Sequence, residues 1–379
     1  MNYCCISADC HLDLSWLPPD LFTSNASRDV LDFMPRIVDG DDGGKWVNKQ
    51  GGQFGFVCGM GSFGRKYVPG MISRADRMAA TGLYGDESRT SRRVTDPQQR
   101  IKDQDRDGVQ AEVLYGILGA VNRVNDAKAA AEMSRIYNEW LVDFCKAYPE
   151  RLIGLGVIAG NNVEAALAET KNLIQGGIRG VEMSMSGNAI PLFEQQWGPL
   201  WQMLSDAGLP IHLHITPPIP PAIAPHWTHR EARSANALMV TKMPLAAVDH
   251  LVSMIFGGAL ERFPKLCMVF AETGLSWIPY VLDRMDYQWE EQYRDILPMK
   301  PSDYWRRQCK ATFQFDATGL RLIDILGANS LMWGSDFPHP DGVWPDSQMY
   351  IDKQFGGLPD EVRQQIVCGN AAALYGLKI

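Results

Sequence analysis

The chain has 379 residues, 46% hydrophobic and 21% charged, with a formal net charge of −8. Such a composition suits a globular protein with a large core, and an acidic balance without dense runs of one sign argues against a nucleic-acid surface or a membrane tether. No basic n-region precedes an apolar stretch, no uninterrupted apolar run has bilayer length, and the eight cysteines form no C-x-x-C pair; reduced thiols in a cytoplasm are expected.

The first strand-like run is YCCISADCHLD (3–13), which sets Asp9 and His11 two residues apart and therefore on one face of a strand. Between Gly40 and Gly64 nine glycines mix with Trp46, Phe54, Phe56 and Phe63, and neither the helical nor the strand period fits. From Val109 onward short apolar runs alternate with amphipathic ones. Strands are predicted over 109–117, 153–160, 178–187, 209–216, 265–273, 311–318 and 330–337. Helices are predicted over 126–152, 162–177, 193–208, 246–264, 276–293 and 319–327.

Eight strands, most followed by a helix, imply a parallel sheet and the α/β architecture of a closed (β/α)8 TIM barrel. An open doubly wound sheet is the alternative, but no strand is followed by its G-x-G-x-x-G turn. The whole chain, 1–379, reads as one barrel domain, with 40–95 inserted after the first strand over the C-terminal mouth. The insertion is expected to cover substrate or to form a subunit contact.

Chemistry in such a barrel belongs at the C-terminal strand ends. There stand Asp9 and His11, Glu182, His212 and His214, Glu272, Asp316, and Asp336 with His339 in GSDFPHPDG. With only seven histidines in the chain, D-x-H, H-x-H and a terminal S-D converging from separate strands point to a divalent metal: zinc first, manganese or iron otherwise, and one ion or two. Against this, His212 reads equally as a hydrogen-bonded core residue, and Glu182 as an outward partner of Arg179. Tryptophans 46, 227, 277, 305, 333 and 344 suit an aromatic ligand or plain core packing, and Arg65, Arg92 and Arg93 are cations near the insertion.

The motifs ADCH, LPIHLHI, FGGALERFPKLCMVFAETGLSWIPYVLDRMD and WGSDFPHPDG resemble the amidohydrolase-related group of the amidohydrolase superfamily, which contains α-amino-β-carboxymuconate-ε-semialdehyde and γ-resorcylate decarboxylases. The resemblance implies metal ligands at Asp9, His11, His214 and Asp336. The chain departs from it at AETG, where the decarboxylases have a histidine in a context like AHGG; Glu272 stands there as a base or a further ligand. Glu182 falls where dinuclear relatives place a bridging group.

The leading expectation is a metal-dependent hydrolase in which Asp336 or Glu272 takes a proton from water and His339 orients substrate or assists the leaving group. The alternatives are a non-oxidative decarboxylase of an aromatic or unsaturated acid, a dinuclear iron or manganese oxygenase with Glu182 or Glu272 as a ligand, and a scaffold subunit with a degraded site. A small-molecule substrate, no nucleic acid or membrane, and a homodimer or related-subunit assembly complete the expectation.

Overall fold

In the computed structural model the described residues are 3–85, 92–185, 190–215, 226 and 228–378. The strands are β1 (Ile6–His11), β2 (Arg36–Val38), β3 (Lys45–Val47), β4 (Gln53–Phe56), β5 (Ala111–Tyr115), β6 (Leu152–Gly154), β7 (Gly156–Val157), β8 (Val181–Ser184), β9 (Ile211–His214), β10 (Met268–Ala271), β11 (Cys309–Phe313) and β12 (Leu331–Trp333). All but β2–β4 pair in parallel, in the orders β1-β5-β6 and β7-β8-β9-β10-β11-β12.

Two junctions turn these sheets into a ring. The predicted third strand is split into β6 and β7 around Leu155, whose N–H still reaches Leu114 O at 3.0 Å. At the other junction Asp336 N–H donates to Asp9 O (2.8 Å) and His11 N–H to Phe337 O (2.7 Å), joining β1 to the segment after β12. The architecture is therefore the (β/α)8 barrel, and its closing seam passes between three of the expected site residues.

The ring is filled by Ile6, Ala8, Val113, Ile153, Val269 and Met332, while helices cover its outside. The C-terminal helix Asn370–Tyr375 closes the floor, packing Ala371, Ala372 and Tyr375 against that interior. A register shift between Ser7 and Cys10 breaks strict alternation in β1. That irregularity lets Asp9 and His11 face inward although Ile6 and Ala8 already do, as bulges re-aim side chains at barrel rims.

Local chemistry sets the helix starts. Asp96, Asp126 and Asn162 cap helices Pro97–Asp107, Ala127–Lys146 and Val163–Gln175 by accepting the N–H groups of Gln99, Ala129 and Ala165. The antiparallel sheet β2–β4 begins at Arg36, ahead of the expected start of the insertion at 40, and β3 and β4 lie in the stretch where the sequence showed no period. Strands of three or four residues are too short to display alternation. A close backbone crossing also demands glycine: a Cβ on Gly55 (φ +109°) would lie 2.1 Å from Phe63 O.

Candidate metal centre

Asp9, His11, His214, Glu272 and Asp336 all leave their strands at the C-terminal mouth and converge. Ligand atoms of His11, Glu272, Asp336 and His339 lie within 4.8 Å of one another, as do those of Asp9, His11 and His214. His11 Nε2 is 3.1 Å from Asp336 Oδ1 and 3.4 Å from Asp9 Oδ1. His214 Nε2 is 3.8 Å from Asp9 Oδ1 and 3.5 Å from Glu272 Oε2.

These approaches are close but misaligned. Asp9 Oδ1, His11 Nε2 and both oxygens of Asp336 are buried and make no hydrogen bond. Buried polar atoms are rarely left so, because each loses its water without replacement. A cation among them would supply the missing partner, and two imidazoles with two or three carboxylates are a donor set that divalent metals accept. The other ends of the ligands are fixed. Thr312 Oγ1 donates to Asp9 Oδ2 (2.6 Å) and itself accepts from Glu272 N–H (2.7 Å). His214 Nδ1 lies 2.7 Å from Ile215 O and donates to it, which leaves Nε2 as the nitrogen turned to the centre. Glu272 and Asp336 both hold left-handed backbone, φ 57° and 58°, strain of the kind that concentrates at functional sites.

Charge follows the same geometry. Burial opposes ionisation of Asp9 and Asp336, yet imidazoles at close range (His11 and His214 for Asp9, His339 and His11 for Asp336) hold both below the usual carboxylate range. Glu272 goes the other way, pushed up by burial and by Asp336. His339 stacks on His11 with ring centres 3.8 Å apart, 2.8 Å from Asp13 Oδ2 and 3.1 Å from Asp336 Oδ1. Although burial disfavours its charge, these two carboxylates raise it well above the ordinary histidine value.

Glu182 faces inward and lines the same cavity, but it belongs to neither ligand group, and its Oε2 accepts Gly116 N–H at 2.7 Å. Arg179, its expected outward partner, instead bonds the carbonyls of Tyr375 and Pro149. His212 is a core residue between the Tyr115 and Tyr375 hydroxyls, at 2.8 and 3.4 Å. Asp316 caps the turn Ala317–Leu320 away from both groups, accepting Gly319 and Leu275 N–H.

A cavity of about 220 Å3 opens above the centre. Met60 and Phe63 of the insertion, Leu118, Ile215, Met239 and Met243 make its apolar wall. Arg65 reaches this cavity, whereas Arg92 is buried against the Ser15 and Leu17 carbonyls and Arg93 pairs with Asp103. Trp46, Trp305, Trp333 and Trp344 are core, and Trp227 lies outside the described residues. The helical stretch Arg233–Phe256, of which only the part from 246 was expected as a helix, walls the cavity with Asn236, Met239, Val240 and Met243. Asp13, Thr312 and this helical wall are the parts of the site that sequence reasoning did not find.

A histidine–carboxylate centre at the mouth of a (β/α)8 barrel defines a class of metal-dependent barrel enzymes. A family model described as amidohydrolase matches residues 8–377, and the chain belongs to that family and is an enzyme. It is 22% identical over 289 residues to 2-amino-3-carboxymuconate-6-semialdehyde decarboxylase of Dictyostelium discoideum, covering 74% of this chain and 77% of that one. An amidohydrolase from Mycobacterium avium subsp. paratuberculosis K-10 shares the fold with TM-score 0.75 at 18% identity, over 99% and 100% of the two chains. So does a dihydroxybenzoic acid decarboxylase from Polaromonas sp. JS666, solved with bound manganese and 2-nitroresorcinol, with TM-score 0.61 at 19% identity over 79% and 92%.

Proposed function

We propose that the protein is a non-oxidative, metal-dependent decarboxylase of a small aromatic or unsaturated carboxylic acid carrying an oxygen beside the carboxylate. The observation that carries this is the set of buried ligand atoms without a hydrogen bond on Asp9, His11 and Asp336, gathered beneath a largely apolar cavity that His11, His214 and Glu272 line. Asp9, His11, His214 and Asp336 would hold one divalent ion, which when bound supplies positive charge for the substrate's carboxylate and neighbouring oxygen. The carboxylate-rich set suits manganese better than the zinc first expected.

The apolar wall, from Phe63 to Met243, would hold the ring or alkene and keep water from it. Glu272, bordering His214 and open to the cavity, would give a proton to the carbon that bears the carboxylate. The bond to the carboxyl carbon then breaks, its electron pair stays with the ring or alkene, and carbon dioxide leaves. His339, gripped by Asp13, orients the substrate oxygen.

Hydrolysis, the leading expectation from sequence, would use the same centre with Asp336 taking a proton from water. The named relatives favour decarboxylation. The oxygenase expectation called for Glu182 or Glu272 as a ligand; Glu182 stands outside both ligand groups with Oε2 accepting Gly116 N–H, and neither named decarboxylase relative supports oxygen chemistry. The test is incubation of the manganese-loaded protein with ortho-hydroxybenzoates in D2O. Carbon dioxide release with one deuterium at the vacated carbon is expected. Cleavage of an ester, amide or lactone panel without carbon dioxide release would restore the hydrolase.

A further inference from the structure

Arg100 is fully buried on helix Pro97–Asp107, beneath the barrel seam and outside the cavity. Its Nε donates to Glu112 Oε2 on β5 at 2.7 Å and its Nη1 to His11 O at 2.9 Å. The guanidinium carbon lies 4.7 Å from the centre of the Phe337 ring. An apolar pair of similar volume commonly stabilises a fold as well as a buried ion pair does, so the targets of this cation are informative.

Besides Glu112, those targets flank the metal centre. The His11 peptide is held at both ends, its N–H by Phe337 O and its C=O by Arg100, while Phe337 directly follows Asp336. One planar cation thus fastens the backbone of His11 and the ring beside Asp336, the residues whose side chains stand 3.1 Å apart. An N–H bond to His11 O, a second to Glu112 and a cation over the Phe337 ring make a connection that a flexible ammonium cannot reproduce.

We propose that Arg100 is a positioning residue for the metal centre: by clamping His11 O and the Phe337 ring it fixes the spacing of His11 and Asp336 and so the affinity for the ion. The inference rests on the metal-centre reading of these side chains. Manganese binding by calorimetry and thermal melting are measured together on the full chain, for wild type, R100K and the charge-free double variant R100M/E112L.

Wild type is expected to bind one Mn2+ per chain. The double variant should melt within a few degrees of it yet bind Mn2+ at least tenfold more weakly, with R100K in between. Wild-type affinity in the double variant, or affinity that falls only as far as melting falls, overturns the proposal. If the double variant does not fold, R100K decides: weaker Mn2+ binding at unchanged melting supports the clamp, and unchanged binding overturns it. Absence of Mn2+ binding by wild type instead removes the metal-centre reading, and the proposal with it.

Discussion

His212 and His214 sit two residues apart on β9, and the barrel gives them opposite surroundings. At the floor, His212 has a tyrosine hydroxyl near each ring nitrogen, and burial pushes it down to about 3, so it stays neutral. At the mouth, His214 turns Nε2 towards Asp9 and Glu272. Carboxylates divide the same way. Asp107, at the end of helix Pro97–Asp107, is satisfied by the N–H and hydroxyl of Ser347 at 2.9 and 2.5 Å, whereas both oxygens of Asp336 are buried without a hydrogen bond. Burial alone therefore does not mark the site. Atoms of Asp9, His11 and Asp336 that lack a hydrogen bond and crowd together at one point do.

The comparison breaks most visibly at Asp336. Asp336→Asn keeps the shape and removes the charge, so decarboxylation should fall about a thousandfold while the melting temperature holds or rises. Near-normal turnover in this variant would mean that the chemistry lies elsewhere.

The histidine pair gives the next largest contrast. His214→Asn should weaken manganese binding by at least about tenfold with little loss of stability. His212→Phe should leave binding intact but cost roughly 1–3 kcal/mol, because it strands two buried hydroxyls. Calorimetry and urea titration on both proteins would show the crossed pattern, and equal effects on binding would erase the distinction between floor and mouth. Glu272→Gln sharpens it further. Turnover should drop about a hundredfold with the manganese content unchanged, and a falling metal content would make Glu272 a ligand rather than a proton donor.

Part of the mouth was legible in sequence because D-x-H and H-x-H bring polar side chains to the ends of β1 and β9, but Asp316 and Glu182, read at strand ends in the same way, stand outside the ligand groups. Other parts were hidden for physical reasons. Thr312 is a good strand former in an apolar run, so nothing in the sequence separates its hydroxyl from ordinary strand composition. Helix Pro97–Asp107 buries Arg100, Asp103, Gln104 and Asp107, and a polar residue used as core leaves no apolar period to read. Asp13 follows the first strand as an ordinary turn carboxylate, and only the return of the chain at His339 gives it a role. The helical wall at Arg233–Phe256 is apolar on its outer side too, where Leu238 and Leu245 are exposed, which blurs its inner face.

The smallest effect tests the satisfied carboxylate. Burial, resisted by the two bonds from Ser347, pushes Asp107 from 3.8 up to about 7 in the folded protein. Between about pH 4 and pH 7 the folded chain therefore keeps a proton that the unfolded chain has released. Stability contributed here is present in acid and lost as pH rises through that window. Asp107→Asn mimics the neutral acid, with its carbonyl able to accept Ser347 N–H and its amide able to face the hydroxyl. The variant should match wild type near pH 5 and exceed it at pH 8 by on the order of 2 kcal/mol in urea titrations. A constant difference at both pH values would show that Asp107 folds as a carboxylate, and that full hydrogen bonding at this helix end does not neutralise an acid.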